Sequence, residues 1–253
     1  MNLDISELLN HWDPRPGQIV ARRFVGKDGS EKIQMRLDLG ILQMNAVGRP
    51  DGKRPLGCES WFEHYTRKLE QHRKAHAGND DDFVLGAEEC LKLQLEALQY
   101  HHRYICLLEL EDFEAVFQDT QRNLEVFDFV QEFAETPELA WSLQQFRPQL
   151  LMMRTRAQVM YALKTQNHTE GMQLLDEGLE RLREFFRSQD RQDLLEASGE
   201  LRSLETWRDQ LHEKRPLSKR EKLELALSEA VQREDYEQAA HFRDQLRKLQ
   251  SQD

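Results

Sequence analysis

The chain has 253 residues, with 35 Lys and Arg against 46 Asp and Glu, and a formal net charge of −11. That balance argues against general attraction to DNA or acidic membranes and leaves only a local basic face for such contacts. No run approaches the roughly 18 apolar residues of a membrane span, and Met1 to Asn10 carries Asp4 and Glu7 and lacks the apolar centre of a signal peptide.

Leu3 to Leu9 predicts a short amphipathic helix, followed by the irregular His11-Trp12-Asp13-Pro14-Arg15-Pro16-Gly17. Gln18 to Val25 and Glu31 to Leu39 predict a β-hairpin turning at Asp28-Gly29. In the second strand Ile33, Met35, Leu37 and Leu39 alternate with Lys32, Gln34, Arg36 and Asp38, so one face is apolar. Two strands alone are marginal in water, and this face is expected to rest on the helices that follow. Gly40 to Gly57 is the least regular part. Its Gly48-Arg49-Pro50-Asp51-Gly52-Lys53-Arg54 run is one residue short of a phosphate loop, and Arg54 stands where Ser or Thr would hold Mg²⁺. A solvated turn is expected there, with a binding loop carrying two basic residues as the other reading.

From Glu59 onward the pattern is helical. Helices are predicted at about 59–77, 84–108 and 113–134, with the acidic Asn79 to Asp82 loop after the first and five Phe in the third. The next begins at Thr136-Pro137, with a hydroxyl cap and proline at the first position, and Pro148 should interrupt it. Gln149 to Lys164 continues, Asn167 with Glu170 caps a helix to Phe186, and Asp190 to Glu213 follows. The turns at 110–115, 166–171 and 234–239 look alike: an acidic or amide cap, then Glu, then small or apolar residues. They resemble tetratricopeptide helix–turn–helix units, although their spacing is too long and uneven for a regular array. Such stacks leave a concave groove suited to peptides or partner helices.

The last stretch is Pro216 to Gln250. Ser218 with Glu221 reads as a capping box, and Leu223, Leu227, Ala230 and Val231 recur along one helical face. Asp235 caps a second helix, whose apolar side holds Tyr236, Ala239, Ala240, Phe242, Leu246 and Leu249. The result is an αα-hairpin with small residues at its closest approach. Asp235-Tyr236-Glu237-Gln238-Ala239-Ala240-His241-Phe242-Arg243-Asp244-Gln245-Leu246 resembles the UVR motif of the excision-nuclease subunits UvrB and UvrC: acidic, aromatic, Glu, Ala-Ala, Arg-Asp, aliphatic. The resemblance implies protein–protein docking, with Arg243 among the contact residues. It also implies two narrower roles, as an accessory of nucleotide-excision repair or as a regulator of a protein kinase or Clp ATPase.

Chemistry is harder to find. His72 and His76 share a helix face with His64 and Cys58 upstream, but two ligands at helical spacing fall short of a zinc set. His101-His102 point in different directions on a helix. Cys58, Cys90 and Cys106 lack a C-x-x-C pair and are expected as reduced core thiols of a cytoplasmic protein. Arg147 and Arg154 share a face, at i and i+7, that could take an acidic peptide or nucleic acid; Arg156 does not share it. No catalytic, cofactor or metal residue is expected. The expectation is a mainly α protein: an N-terminal segment with a β-hairpin (1–57), a TPR-like stack of antiparallel helix pairs (58–215) and a C-terminal αα-hairpin (216–253). Its expected function is that of a non-enzymatic bacterial adaptor. It would meet protein partners through the hairpin, with self-association open, no direct nucleic acid and no membrane. Whether the hairpin docks on its own body or on another chain is left open.

Overall fold

The computed structural model describes residues 4–213 and 219–250, with side chains given for all but 219–222 and 248–250. The chain divides into two compact units, Met1–Arg208 and Asp209–Asp253.

The first unit opens with α1 (Ser6–Asn10) and an antiparallel sheet in the order β1 (Ala21–Val25), β2 (Glu31–Leu37), β3 (Gly40–Asn45). The third strand extends the predicted hairpin. Leu37 pairs with Gly40, so Asp38 and Leu39 form a two-residue loop, and Met35 and Ile33 pair with Leu42 and Met44. The alternation of β2 therefore stops at Leu37: Leu39, expected on the apolar face, sits at the loop and is 93% exposed. Arg36 is the reason the loop holds. Its guanidinium donates to Trp12 O at 2.5 Å, to Asp38 O and Gly40 O at 3.3 Å each, and to Leu37 O. The polar face of β2 is thus covered as well, with Gln34 and Arg36 buried. On the other face Ile33, Met35 and Met44 are buried, and the sheet packs on the first long helix.

That helix is α3 (Ala87–Glu109), preceded by α2 (Trp61–Ala75) and followed by α4 (Phe113–Phe133), α5 (Pro137–Gln144), α6 (Arg147–Lys164), α7 (His168–Ser188), α8 (Gln192–Ala197) and α9 (Gly199–Glu213). Ser60 caps α2 through Glu63 N, and Thr136 caps α5 through Leu139 N. Pro148 falls in the first turn of α6, so the predicted interruption is a clean break at Gln145–Phe146. A second break divides the predicted 190–213 helix. Ser198 is extended, and its hydroxyl accepts from Leu201 N at 3.2 Å, which restarts the chain as α9. Leu85, predicted inside α3, is instead extended and bridges Ala134.

The long helices form antiparallel pairs. Arg103 reaches Asp119, and Asn123 Nδ2 donates to Ala97 O, across α3 and α4. In the α6–α7 pair Gly171 lies against Leu163 and Gly178 against Thr155. The packing of α4 on α6 joins the pairs into a TPR-like stack. Its core holds Leu93, Leu107, Val116, Leu143, Leu150, Leu175, Leu179 and Leu182, all below 3% exposure. Each buried leucine contributes about 1.5–3 kcal/mol relative to exposure.

The division at Arg208 falls within α9. The second unit contains α10 (Lys219–Gln232) and α11 (Tyr236–Gln250), which pack on each other as the expected hairpin. Ser218, the predicted cap of α10, lies outside the described residues, as do the side chains of Glu221 and Leu249.

Candidate docking site

The α10–α11 turn is built by a local rule, a left-handed closure followed by a side-chain cap, that recurs at two other turns among the described residues. Glu234 takes a left-handed φ of 58°, its N–H bonds Val231 O at 3.0 Å, and Asp235 N–H bonds Ala230 O at 2.9 Å. At the α3–α4 turn Glu111 has φ 56°, bonds Leu108 O, and is followed by Asp112 N–H on Leu107 O. At the α6–α7 turn Gln166 has φ 60°, bonds Leu163 O, and is followed by Asn167 N–H on Ala162 O. These are Schellman closures that satisfy the last carbonyls of the first helix. The next residue then caps the second helix: Asp112 Oδ1 accepts from Ala115 N, Asn167 Oδ1 from Glu170 N, and Asp235 Oδ1 from Gln238 N, at 3.1–3.2 Å. The likeness read from three short stretches of sequence is a shared backbone geometry.

Within the hairpin, Ala230 and Ala239 are the buried residues among the described side chains. They flank the turn, where small side chains let the helices approach. Leu223, Leu227, Ala240, Phe242 and Leu246 are half-buried, and Arg243 is exposed beside Asp244. Val231 is 51% exposed and Tyr236 is 70% exposed, as is Leu225 at 51%, a residue the periodicity did not single out. The pair thus presents an aromatic ring and two aliphatic side chains to solvent.

Other candidates resolve differently. The rings of His72 and His76 stack at 4.0 Å, with His76 Nδ1 2.8 Å from His72 O, while His64 packs edge-on against Trp61 and Tyr65. No group of three or more His, Cys, Asp or Glu able to hold a metal occurs among the described residues. The cysteines are free and buried, and burial pushes Cys90 up to about 11 and Cys106 up to about 12, which keeps both as thiols. Arg147 and Arg154 do line one groove, together with Arg181. Arg156 turns elsewhere, onto Ser203 and the Trp207 ring.

The turn at 48–55 is mostly exposed, as expected, but its Arg49 and Pro50 are drawn inward. Pro50 is buried, and its carbonyl accepts from Asn45 N at 2.8 Å. Arg103 donates to Asn45 O and Gly48 O, and Arg49 lies 3.1 Å from Glu96. Gly48 and the run from Asp51 to Arg54 are exposed, with Arg54 paired with Glu59. Glu96, fully buried, also accepts from Trp61 N and Phe62 N and pairs with Arg122. This charged cluster was missed from sequence. Its signal was charge on the apolar helix faces, Glu96 and Arg103 at i and i+7 of α3, facing Asp119 and Arg122 of α4.

No helix among the described residues is long and apolar enough to cross a membrane. Comparison with curated proteins and with solved structures returns no match. Among protein-family models, residues 218–252 match UVR, described as the UvrB/uvrC motif, which identifies the terminal helical pair as a copy of that motif.

Proposed function

We propose that the chain is a non-enzymatic adaptor that docks onto a partner protein through the outer face of the α10–α11 hairpin. The observation that carries this reading is the exposure of Val231 and Tyr236 on a hairpin whose Phe242 and Leu246 are only half-buried. One neighbouring helix covers only part of that apolar side, and a second pair of helices would cover the rest, in the manner of helix-in-groove recognition. Arg243 and Asp244, both exposed on the same helix, supply opposite charges for register. In this reading the TPR-like body is the scaffold, and the chain acts in the cytoplasm.

The motif's description names the UvrB and UvrC subunits, so an accessory role in excision repair is a second reading. The net charge of −11 weighs against direct DNA contact, and the repair role would then run through a protein partner.

The test is co-purification of the full chain and a Phe242→Asp variant from the same host, each compared with a form lacking 216–253. Loss of the same partner from the variant and the truncated form is the expected result. An unchanged partner list overturns the docking reading. Sedimentation of the purified chain distinguishes self-pairing, because a dimer would become a monomer on Phe242→Asp.

A further inference from the structure

A cavity of about 290 Å³ lies in the first unit, where α3, α4, the end of α5 and the start of α6 converge. Leu95, Leu98 and Phe146, each about half exposed, frame its mouth. In a chain with 32% charged residues, none of the twelve residues lining the cavity is Asp, Glu, Lys or Arg. Most of its polar groups are already engaged. Gln94 Nε2 donates to Ser142 O at 3.2 Å, Asn123 Nδ2 donates to Ala97 O at 2.9 Å, and His101 Nδ1 lies 2.7 Å from the Tyr104 hydroxyl. His101 Nε2, Gln94 Oε1 and the Gln149 amide make no hydrogen bond among the described residues and remain for an occupant. Burial, with a smaller push from His102, holds His101 down at about 4. The ring is therefore neutral near pH 7 and offers a hydrogen bond without a charge.

Volume and chemistry together restrict the occupant. A dry cavity of roughly 150 Å³ lined by aliphatic and aromatic side chains takes up benzene, so on that scale this one has room for about twelve heavy atoms. A charged group entering it would lose hydration and find no counter-charge. We propose that the cavity binds a small, uncharged, mainly apolar molecule of bicyclic-aromatic or medium-chain size, with one hydroxyl, carbonyl or amide group on His101 Nε2. The site belongs to the first unit and stands independently of hairpin docking.

The test is isothermal titration of the full chain with 2-naphthol, naphthalene and 2-naphthoate at pH 7. Saturable one-to-one binding of 2-naphthol is expected. Leu98→Trp, at a half-exposed position that tolerates a larger ring, should weaken it at least about tenfold by closing the mouth, and Phe146→Trp provides a second closure if the first fails to fold. His101→Leu should weaken 2-naphthol by about 3–10-fold and leave naphthalene unchanged. The proposal is overturned by absence of saturable binding to the folded chain, or by unchanged affinity in mouth variants with native circular dichroism. Binding of 2-naphthoate as tight as that of 2-naphthol would overturn the uncharged class.

Discussion

Arg103 holds Asp119 in a two-bonded fork, Nε to Oδ2 at 2.8 Å and Nη2 to Oδ1 at 2.6 Å, in the buried seam between α3 and α4. The same guanidinium reaches Asn45 O and Gly48 O through its third nitrogen, so one side chain joins two helices to the end of β3. Burial raises the Asp119 carboxyl, and Arg103 pulls it back. Asp119→Asn should leave a buried cation unpaired and cost about 3–5 kcal/mol, read as a lower denaturation midpoint in urea. An unchanged midpoint would show that the fork contributes no net stability.

Two glycines of α7 should respond oppositely to the same substitution. A Cβ at Gly178 would lie 2.8 Å from Thr155 Cβ, and Thr155 is 2% exposed with its hydroxyl committed to Leu151 O. Gly178→Ala should cost about 1–3 kcal/mol through overpacking, with only part of it recovered in the Gly178→Ala/Thr155→Ala double variant, because alanine keeps the Cβ at 155. At Gly171 the nearest atom would be Leu163 Cδ2, at 3.4 Å. Gly171→Ala should therefore be neutral or stabilising by up to about 1 kcal/mol. Thermal denaturation of the three variants decides it.

The left-handed turn residues predict gains. Gln166→Gly removes a Cβ from a φ of 60° and should stabilise by about 0.5–1 kcal/mol. Asn167→Ala, which deletes the following cap, should lose about 0.5–2 kcal/mol. A reversed order of the two melting temperatures would contradict the turn geometry.

Acid should weaken the first unit through His101. Its folded pKa of about 4 lies below its ordinary value because burial disfavours the charged ring. The unfolded chain therefore binds the extra proton first. This contribution is complete above about pH 6.5 and is lost as pH falls toward 4. His102 is held down by burial in the same direction. In His101→Gln the slope of stability against pH across that window should be shallower, as measured by urea titrations at stepped pH.

On the hairpin, Tyr236→Ala at a 70% exposed position should change stability by less than about 0.5 kcal/mol and still reduce partner capture. Equal capture by the variant and the parent chain would remove Tyr236 from the docking face.

Local rules were legible without the structure. Thr136-Pro137, Asn167 with Glu170, and Asp235 with Gln238 each announce a helix start within a few residues, because a cap and its N–H partner lie within one turn. The kinship of the three turns was readable for the same reason, and so was the motif at 218–252, whose pattern is short and contiguous. The end of β2 and the break at Ser198 were not. Leu39 alternates correctly with Leu37, yet its place in the loop depends on the pairing of Leu37 with Gly40 and on Arg36 bonding three carbonyls around it.

By itself, the sequence determined that this is a helical chain of capped pairs ending in a UVR hairpin, since periodicity and caps act over a few residues. Tertiary structure decided what the charges on the apolar faces are for. Glu96, Arg103, Asp119 and Arg122 look like surface charges until α3 and α4 bring them together. Their burial is tolerable only because each finds a partner from another element. Tertiary structure also pinned Gly48 to Pro50, within an otherwise exposed turn, to the first unit's helices. It brought residues from four helices around the cavity beside His101, a feature with no contiguous signature because its walls are distant in the chain.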